Sequence, residues 1–177
     1  MPHRRRPELA PRHPVHVTLR VRDEVWNLRS RRCFRALARA FAGGKDRFGF
    51  RIVHFSVQGN HLHLIVEVTD AASLSRGMQG LAIRMAKGLN RVMQRSGPVF
   101  RERYHAHVLR SPTEVARAVA YVPGNYFHHA ARWGAVVPRN DVDPYSSAAA
   151  RERSGADPPL VVEPRTWLLR TSSQRAA

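Results

Sequence analysis

The residues of this chain best placed to do chemistry are two histidines one position apart, in Asn60-His-Leu-His-Leu-Ile-Val-Glu-Val68. Side chains of a β-strand alternate faces with a period of two. Read as a strand, the stretch turns His61, His63, Ile65 and Glu67 to one side and Leu62, Leu64, Val66 and Val68 to the other. The second side is uniformly apolar and belongs against a core. The first holds two imidazoles about 7 Å apart along the backbone, close enough to share a divalent ion. A His-x-His pair on an amphipathic strand also fits a plain solvated face, so the pair alone leaves both readings open.

A second pair, His105 and His107, flanks the small residue Ala106 and lacks the bulky apolar anchor of the first. It reads as a nucleic-acid contact or a packing pair. The four tyrosines are Tyr104, Tyr121, Tyr126 and Tyr145. Cys33 is the only cysteine, which excludes an internal disulfide and a zinc site built on paired cysteines.

These groups need a scaffold, and the chain has one to give. Its 177 residues, 43% of them hydrophobic, suit a single domain with a real core. No apolar run is long enough to cross a membrane, and no apolar core follows the basic N-terminus as in a signal peptide, so a cytoplasmic protein is expected. The net charge is +17, and only two of the 30 cationic residues, Lys45 and Lys87, are lysines. Arginine presents a planar fork that matches phosphate. So large an excess repels itself unless a polyanion offsets it, which points to nucleic acid.

In chain order, Val15, Val17, Leu19 and Val21 alternate with His16, Thr18, Arg20 and Arg22, predicting a strand with a basic outer face. Ser30 can cap a helix whose stripe is Phe34, Leu37, Ala38 and Phe41, ended by Gly43-Gly44. Arg31, Arg32, Arg35 and Arg39 lie mostly off that stripe, as a solvated face or as DNA contacts. Phe48 to Val57 predicts a second strand, and Gln58-Gly-Asn60 a hairpin turn into the His61 strand. Leu74, Met78, Leu81, Met85, Leu89 and Val92 predict a long helix over 73–94. A fourth strand is expected within 99–109. Ser111-Pro-Thr-Glu114 is a capping box with proline at the first helical position. The stripe Val115, Ala118, Val119, Val122 follows, with Tyr121 about 100° from its centre. Asn125 lies one turn beyond Tyr121 if the helix continues, which Pro123-Gly124 puts in question.

The order β-α-β-β-α-β followed by a helix predicts an α+β, ferredoxin-like (split βαβ) antiparallel sheet with helices on one face. The other face is expected to be open, as in nucleic-acid-binding sheets. Residues 1–12 read as a basic disordered tail, 13–135 as the domain, and 136–177 as a loop-rich extension that docks back on it.

The chain resembles the REP-associated tyrosine transposases, within the single-tyrosine HUH transposases. The landmarks are His13-Pro-Val-His-Val-Thr-Leu-Arg20, Asn60-His-Leu-His-Leu64, Arg103-Tyr-His-Ala106, Ala120-Tyr-Val-Pro-Gly-Asn125, Asp143-Pro-Tyr-Ser-Ser147 and Pro164-Arg-Thr-Trp-Leu-Leu169. The resemblance spans roughly residues 13–170. It implies an enzyme that nicks and rejoins single-stranded DNA near a hairpin, through a tyrosine bonded to a 5′ phosphate. Tyr121 matches the nucleophile. His61 and His63 match a metal pair, and Asn125 resembles the third ligand, for a divalent ion that is Mg²⁺ or Mn²⁺. Tyr126 is the rival nucleophile, and a helix C-cap the rival role for Asn125. Arg20, Arg22, Arg101, Arg103 and His105 are expected to hold the DNA. A partner of single-stranded or hairpin DNA, no membrane, and a monomer or homodimer follow. The competing expectations are a catalytically impaired nucleic-acid-binding module of the same fold and a structural metal protein.

Overall fold

Alternation of apolar and polar residues folds β1 (Val15–Arg20) so that Val15, Val17 and Leu19 are buried on one face. In the computed structural model this strand lies near the middle of a five-stranded antiparallel sheet. Residues 9–132, 142–152 and 158–174 are described. After β1 come α1 (Arg31–Gly44), β2 (Asp46–Arg47), β3 (Phe50–Val57), β4 (His61–Val68), α2 (Ala71–Met93), β5 (His105–Val108) and α3 (Pro112–Arg132). Two short helices follow, α4 (Ser147–Glu152) and α5 (Trp167–Gln174). The spatial order is β2-β3-β4-β1-β5. β1 therefore sits between β4 and β5, as a split βαβ unit requires, and the expected fold class holds.

The first core fills the space between the sheet's apolar face and α1 and α2, with Phe41, Phe55, Leu62, Leu64, Met78 and Met85 fully buried. Ser30 caps α1, accepting a hydrogen bond from Cys33 N, and Asp70 caps α2, accepting from Ser73 N. Cys33 is a buried free thiol within this core. Leu9 packs against it too, so the expected tail is anchored at its inner end. Residues 1–8, most of the loop expected after Trp133, and the last three residues lie outside the described residues.

The second strand starts later than its composition suggests. Phe48 and Gly49 have φ of 54° and 76° and form a turn between β2 and β3. A Cβ on Gly49 would meet Thr69 Oγ1 at 2.5 Å, so both the conformation and the space demand glycine there. Gly77 answers a different need. A Cβ at Gly77 would lie 2.2 Å from Cγ of Phe50, whose side chain is fully buried and has nowhere to move. Gly77→Ala is expected to destabilise the fold by about 1–3 kcal/mol through overpacking, although alanine is the better helix former. Urea unfolding of the two proteins checks this.

The opposite face departs from expectation, because it is half covered. A register shift between Ile52 and His54 in β3 turns both Val53 and His54 to that side. Val53 and Ile65 then join Val115, Ala118, Val122 and Leu169 in a second small core beneath α3 and α5. Periodicity within single strands cannot show this bulge. Leu168 and Leu169 of α5 pack into this second core. What remains open is the β1–β5 half.

His54 is buried next to Ser147, its Nδ1 3.4 Å from the hydroxyl. Burial, and then the charge of Arg151, push its pKa down to about 3 from 6.5. The unfolded chain thus binds a proton between pH 6.5 and pH 3 that the native chain does not. This contribution to stability is complete above pH 6.5 and is lost as the pH falls. The expected slope is about 1.4 kcal/mol per pH unit at most. Urea stability measured at pH 7 and pH 5 should differ by about 2 kcal/mol from this group, and His54→Gln should flatten the difference.

Candidate active site

The site is set by strand register. β4 pairs with β1 so that Thr18 lies opposite His63 and Arg20 opposite His61, while β5 places His105 on the far side of Thr18. His16, Thr18, Arg20, His61, His63 and His105 therefore share the open part of one sheet face. The rings of His61 and His63 meet edge to face, their centroids 5.0 Å apart. His63 is buried and His61 is half-buried.

Each imidazole is oriented through Nδ1. Asn60 Oδ1 lies 2.8 Å from Nδ1 of His61, so that nitrogen donates and Nε2 carries the lone pair. Nδ1 of His63 has Thr18 Oγ1 at 3.2 Å and His16 Nε2 at 3.1 Å. Burial, and then the charge of His107, hold His16 below the ordinary imidazole range, so it is neutral at pH 7. Where Nδ1 of His63 carries the proton, Thr18 Oγ1 and His16 Nε2 can accept it, and the lone pair falls on Nε2. Histidines that ligate metals are commonly fixed this way, by a partner on the other nitrogen.

Tyr121 reaches this pair from α3. Its capping box forms as the sequence predicts: Ser111 Oγ accepts from Glu114 N, and Glu114 Oε2 accepts from Ser111 N. Hydrogen bonds from the backbone N–H of Arg110 and then of Ser111 hold the Glu114 carboxyl below its usual range. Val115, Ala118, Val122 and Asn125 form the packed side of the helix. Tyr121 stands at the edge of that side, 39% exposed, its ring 5.8 Å from that of His63 and nearly perpendicular to it. The helix runs through Pro123-Gly124 to Arg132 without interruption. Proline at that position removes one hydrogen bond, but the second core and the Tyr126 contact described below hold the segment on both sides.

Continuity of α3 keeps Asn125 one turn beyond Tyr121, about 40° around the axis. Asn125 is fully buried, and neither its oxygen nor its nitrogen has a hydrogen-bond partner among the described residues. Leaving such a group unsatisfied costs about 1–3 kcal/mol. Among the described residues no three His, Cys, Asp or Glu side chains converge on a point where a cation could bind. The orphaned Asn125 carboxamide has a donor oxygen whose chemistry fits a cation held beside two imidazoles. Two imidazoles and an amide oxygen suit Mn²⁺ better than Mg²⁺.

The other tyrosine rings make contacts away from the histidine pair, although Tyr126 is also exposed. The Arg29 guanidinium stacks on Tyr126 at 3.7 Å and lies 4.5 Å from Tyr145. It is also held by both oxygens of Asp143, at 2.8 and 3.0 Å, and by the carbonyl of Val57. Tyr104 packs against the first core. The arginines expected on DNA are scattered. Arg20 and His105 stand with the His61 pair. Arg22 is engaged by Glu24, and Arg101 by Asp23. Arg103 lines a depression on the α2 side of the sheet with Ser75 and Gln79. His107 lies 3.8 Å from Glu114.

Sequence reasoning missed the Arg29–Asp143 clamp and the support of His63 by His16 and Thr18. The second was half visible, since alternation in β1 already put His16 and Thr18 on the polar face. The first joins residues 114 apart, and no local pattern marks it.

A family model described as "Transposase IS200 like" matches residues 11–124 of the chain. No curated protein matches it in sequence. A REP-associated tyrosine transposase, solved bound to a REP hairpin, shares the fold. The TM-score is 0.66 at 18% identity, over 94% of this chain and 93% of that one. A transposase-like protein from Deinococcus radiodurans aligns with a TM-score of 0.43 at 14% identity, over 73% of this chain and 95% of that one.

Proposed function

We propose that this chain, which belongs to the IS200-like transposase family, nicks and rejoins single-stranded DNA at Tyr121. Family membership supplies the reaction class, a transposase acting on DNA. The observation that carries the finer reading is the approach of Tyr121 to within 5.8 Å, ring to ring, of one member of an edge-to-face histidine pair.

In the proposed step, Tyr121 Oη attacks a backbone phosphorus. The bond from phosphorus to the 3′ oxygen breaks, and its electron pair leaves on that oxygen. The net fate of the phenolic proton is transfer to the departing oxygen, giving a free 3′ hydroxyl and a 5′ phosphotyrosine. One phosphodiester replaces another, so the step needs no outside energy source and runs backward to rejoin strands. Phenol is a weak nucleophile at neutral pH. His61, His63 and Asn125 would hold a divalent ion, Mn²⁺ or Mg²⁺, which when bound supplies charge to offset the phosphate in the transition state.

The protein's own residues do the positioning. Thr18 and His16 fix the tautomer and tilt of His63, and Asn60 those of His61. The second core and the Arg29 stack on Tyr126 hold α3 at both ends of the Tyr121 turn. Arg20 and His105, exposed on the same face, are placed to bind phosphate beside the histidines. The preferred partner is a DNA hairpin with a single-stranded flank, met in the cytoplasm by a monomer or a homodimer, with the domain over 13–135.

The test is incubation with single-stranded hairpin DNA and Mn²⁺, followed by denaturing electrophoresis. A denaturation-resistant protein–DNA band that EDTA prevents is expected. Salt-sensitive hairpin binding without such a band would favour the binding-only reading.

A further inference from the structure

The helical side of the sheet, away from Tyr121, carries a dense patch of cations with no carboxylate partner among the described residues. Arg32, Arg35 and Arg39 recur at i, i+3 and i+7 on α1, and Arg84, Lys87 and Arg91 recur identically on α2. All six are exposed and face each other across one groove of about 430 Å³. Its floor is made of small residues. A Cβ on Gly88 would lie 3.2 Å from that of Ala36, so the two helices cross in close contact there. Neither helix contains an Asp or Glu. Among the described residues none of the six cations is in an ion pair. Elsewhere Arg22, Arg29, Arg51, Arg101 and Arg151 each have a carboxylate partner.

Each row spans about 10.5 Å, from a rise of 1.5 Å per residue. Laid along a duplex axis, that length covers roughly three phosphates of one strand, each adding 3.4 Å of axial rise. Single-strand sites add aromatic platforms for the bases to a cationic track, and no aromatic side chain lines this groove. Two facing cation rows with one exposed ring beside Arg32, that of Trp26, offer no run of stacking platforms and suit phosphates presented by a rigid double helix.

We propose that the α1–α2 groove is a second DNA site, which takes a duplex segment by its backbone, without sequence preference, while the histidine face works on a single strand. The inference rests on the transposase reading only for the identity of the polyanion. Its mechanism is counterion release, so each lost phosphate contact reduces the salt dependence of binding by about 0.9 in slope.

The experiment compares the full-length protein with the variant R35Q/R39Q/R84Q/K87Q and with the charge-matched control R47Q/R76Q/R110Q/R170Q. Fluorescence anisotropy on a blunt, mixed-sequence DNA duplex is recorded across a salt series. Adduct formation on a single-stranded oligonucleotide and thermal melting are measured on the same samples. The groove variant is expected to melt like the parent and to form adduct within about twofold. Its duplex affinity should fall on the order of 100-fold at 0.1 M salt, with a slope shallower by about 3 to 4. The control should retain most of the affinity. Equal losses in the two variants, or undiminished duplex binding by the groove variant, overturn the proposal. A wild-type protein that binds duplex through the groove but forms no adduct overturns the nicking proposal alone.

Discussion

Tyr121→Phe is expected to abolish the covalent protein–DNA product, lowering its rate of formation by on the order of 10⁴-fold or more, while hairpin binding stays within about twofold of the wild type. The replacement removes one oxygen and keeps the ring. Tyr121 is 39% exposed and touches His63 through its ring, so neither core loses a packing atom. The same replacement at Tyr126 should leave the adduct intact, because that ring serves as the platform for Arg29. Denaturing gels on the three proteins, with anisotropy for binding, separate a nucleophile from a residue that merely helps to grip DNA.

Glu67→Ala is expected to produce the largest loss of stability. Glu67 is buried on the same sheet face as His61 and His63, and its Oε2 accepts from Arg51 Nη1. Its Oε1 accepts from the backbone N–H of Arg165 and Thr166, at 2.8 and 2.6 Å, at the entrance to α5. One carboxylate thus neutralises a buried guanidinium and ties down the start of the helix that closes the second core. Removing it leaves the buried Arg51 with only the longer, half-exposed Asp46 contact at 3.5 Å as counter-charge, at a cost of about 3 kcal/mol, the lower end for a broken buried pair. For a chain of this size that lowers the melting temperature by roughly 10 °C. Glu67→Gln should cost less, since it keeps an acceptor for the two N–H groups. The double change Arg51→Met with Glu67→Leu should recover part of the loss, because no uncompensated buried charge remains and Asp46, Arg51's other partner, is exposed to water.

Glu67 also shows how far the sequence could be read. Alternation in β4 put it on the polar face beside the histidines, and that is where it lies. Nothing in the alternation says that this end of the face is buried, since α3 and α5 cover it from residues 45 to 107 positions later. The fold was legible because β1, β4 and the helices of the main domain carry their own periods, and the capping residues Ser30 and Ser111 mark two helix starts, whereas the two-residue β2 carries no period at all. The bulge at Val53, the Arg29–Asp143 clamp and the grip of His16 and Thr18 on His63 were not. All three depend on which strands become neighbours and in what register. The site was legible to the extent that His61, His63 and Tyr121 draw together, whereas the expected arginines divide between two faces. The continuity of α3 through Pro123-Gly124 was hidden for a related reason: proline propensity is local, and the packing that overrides it is not.

The most direct test is to map the attachment point. The wild-type protein is incubated with a single-stranded hairpin oligonucleotide and Mn²⁺, digested with nuclease and protease, and sequenced by mass spectrometry. The expected result is a nucleotide joined through phosphate to the peptide that holds Tyr121, and to no other. Attachment at Tyr126, or quantitative hairpin binding that never yields a modified peptide, would contradict the account.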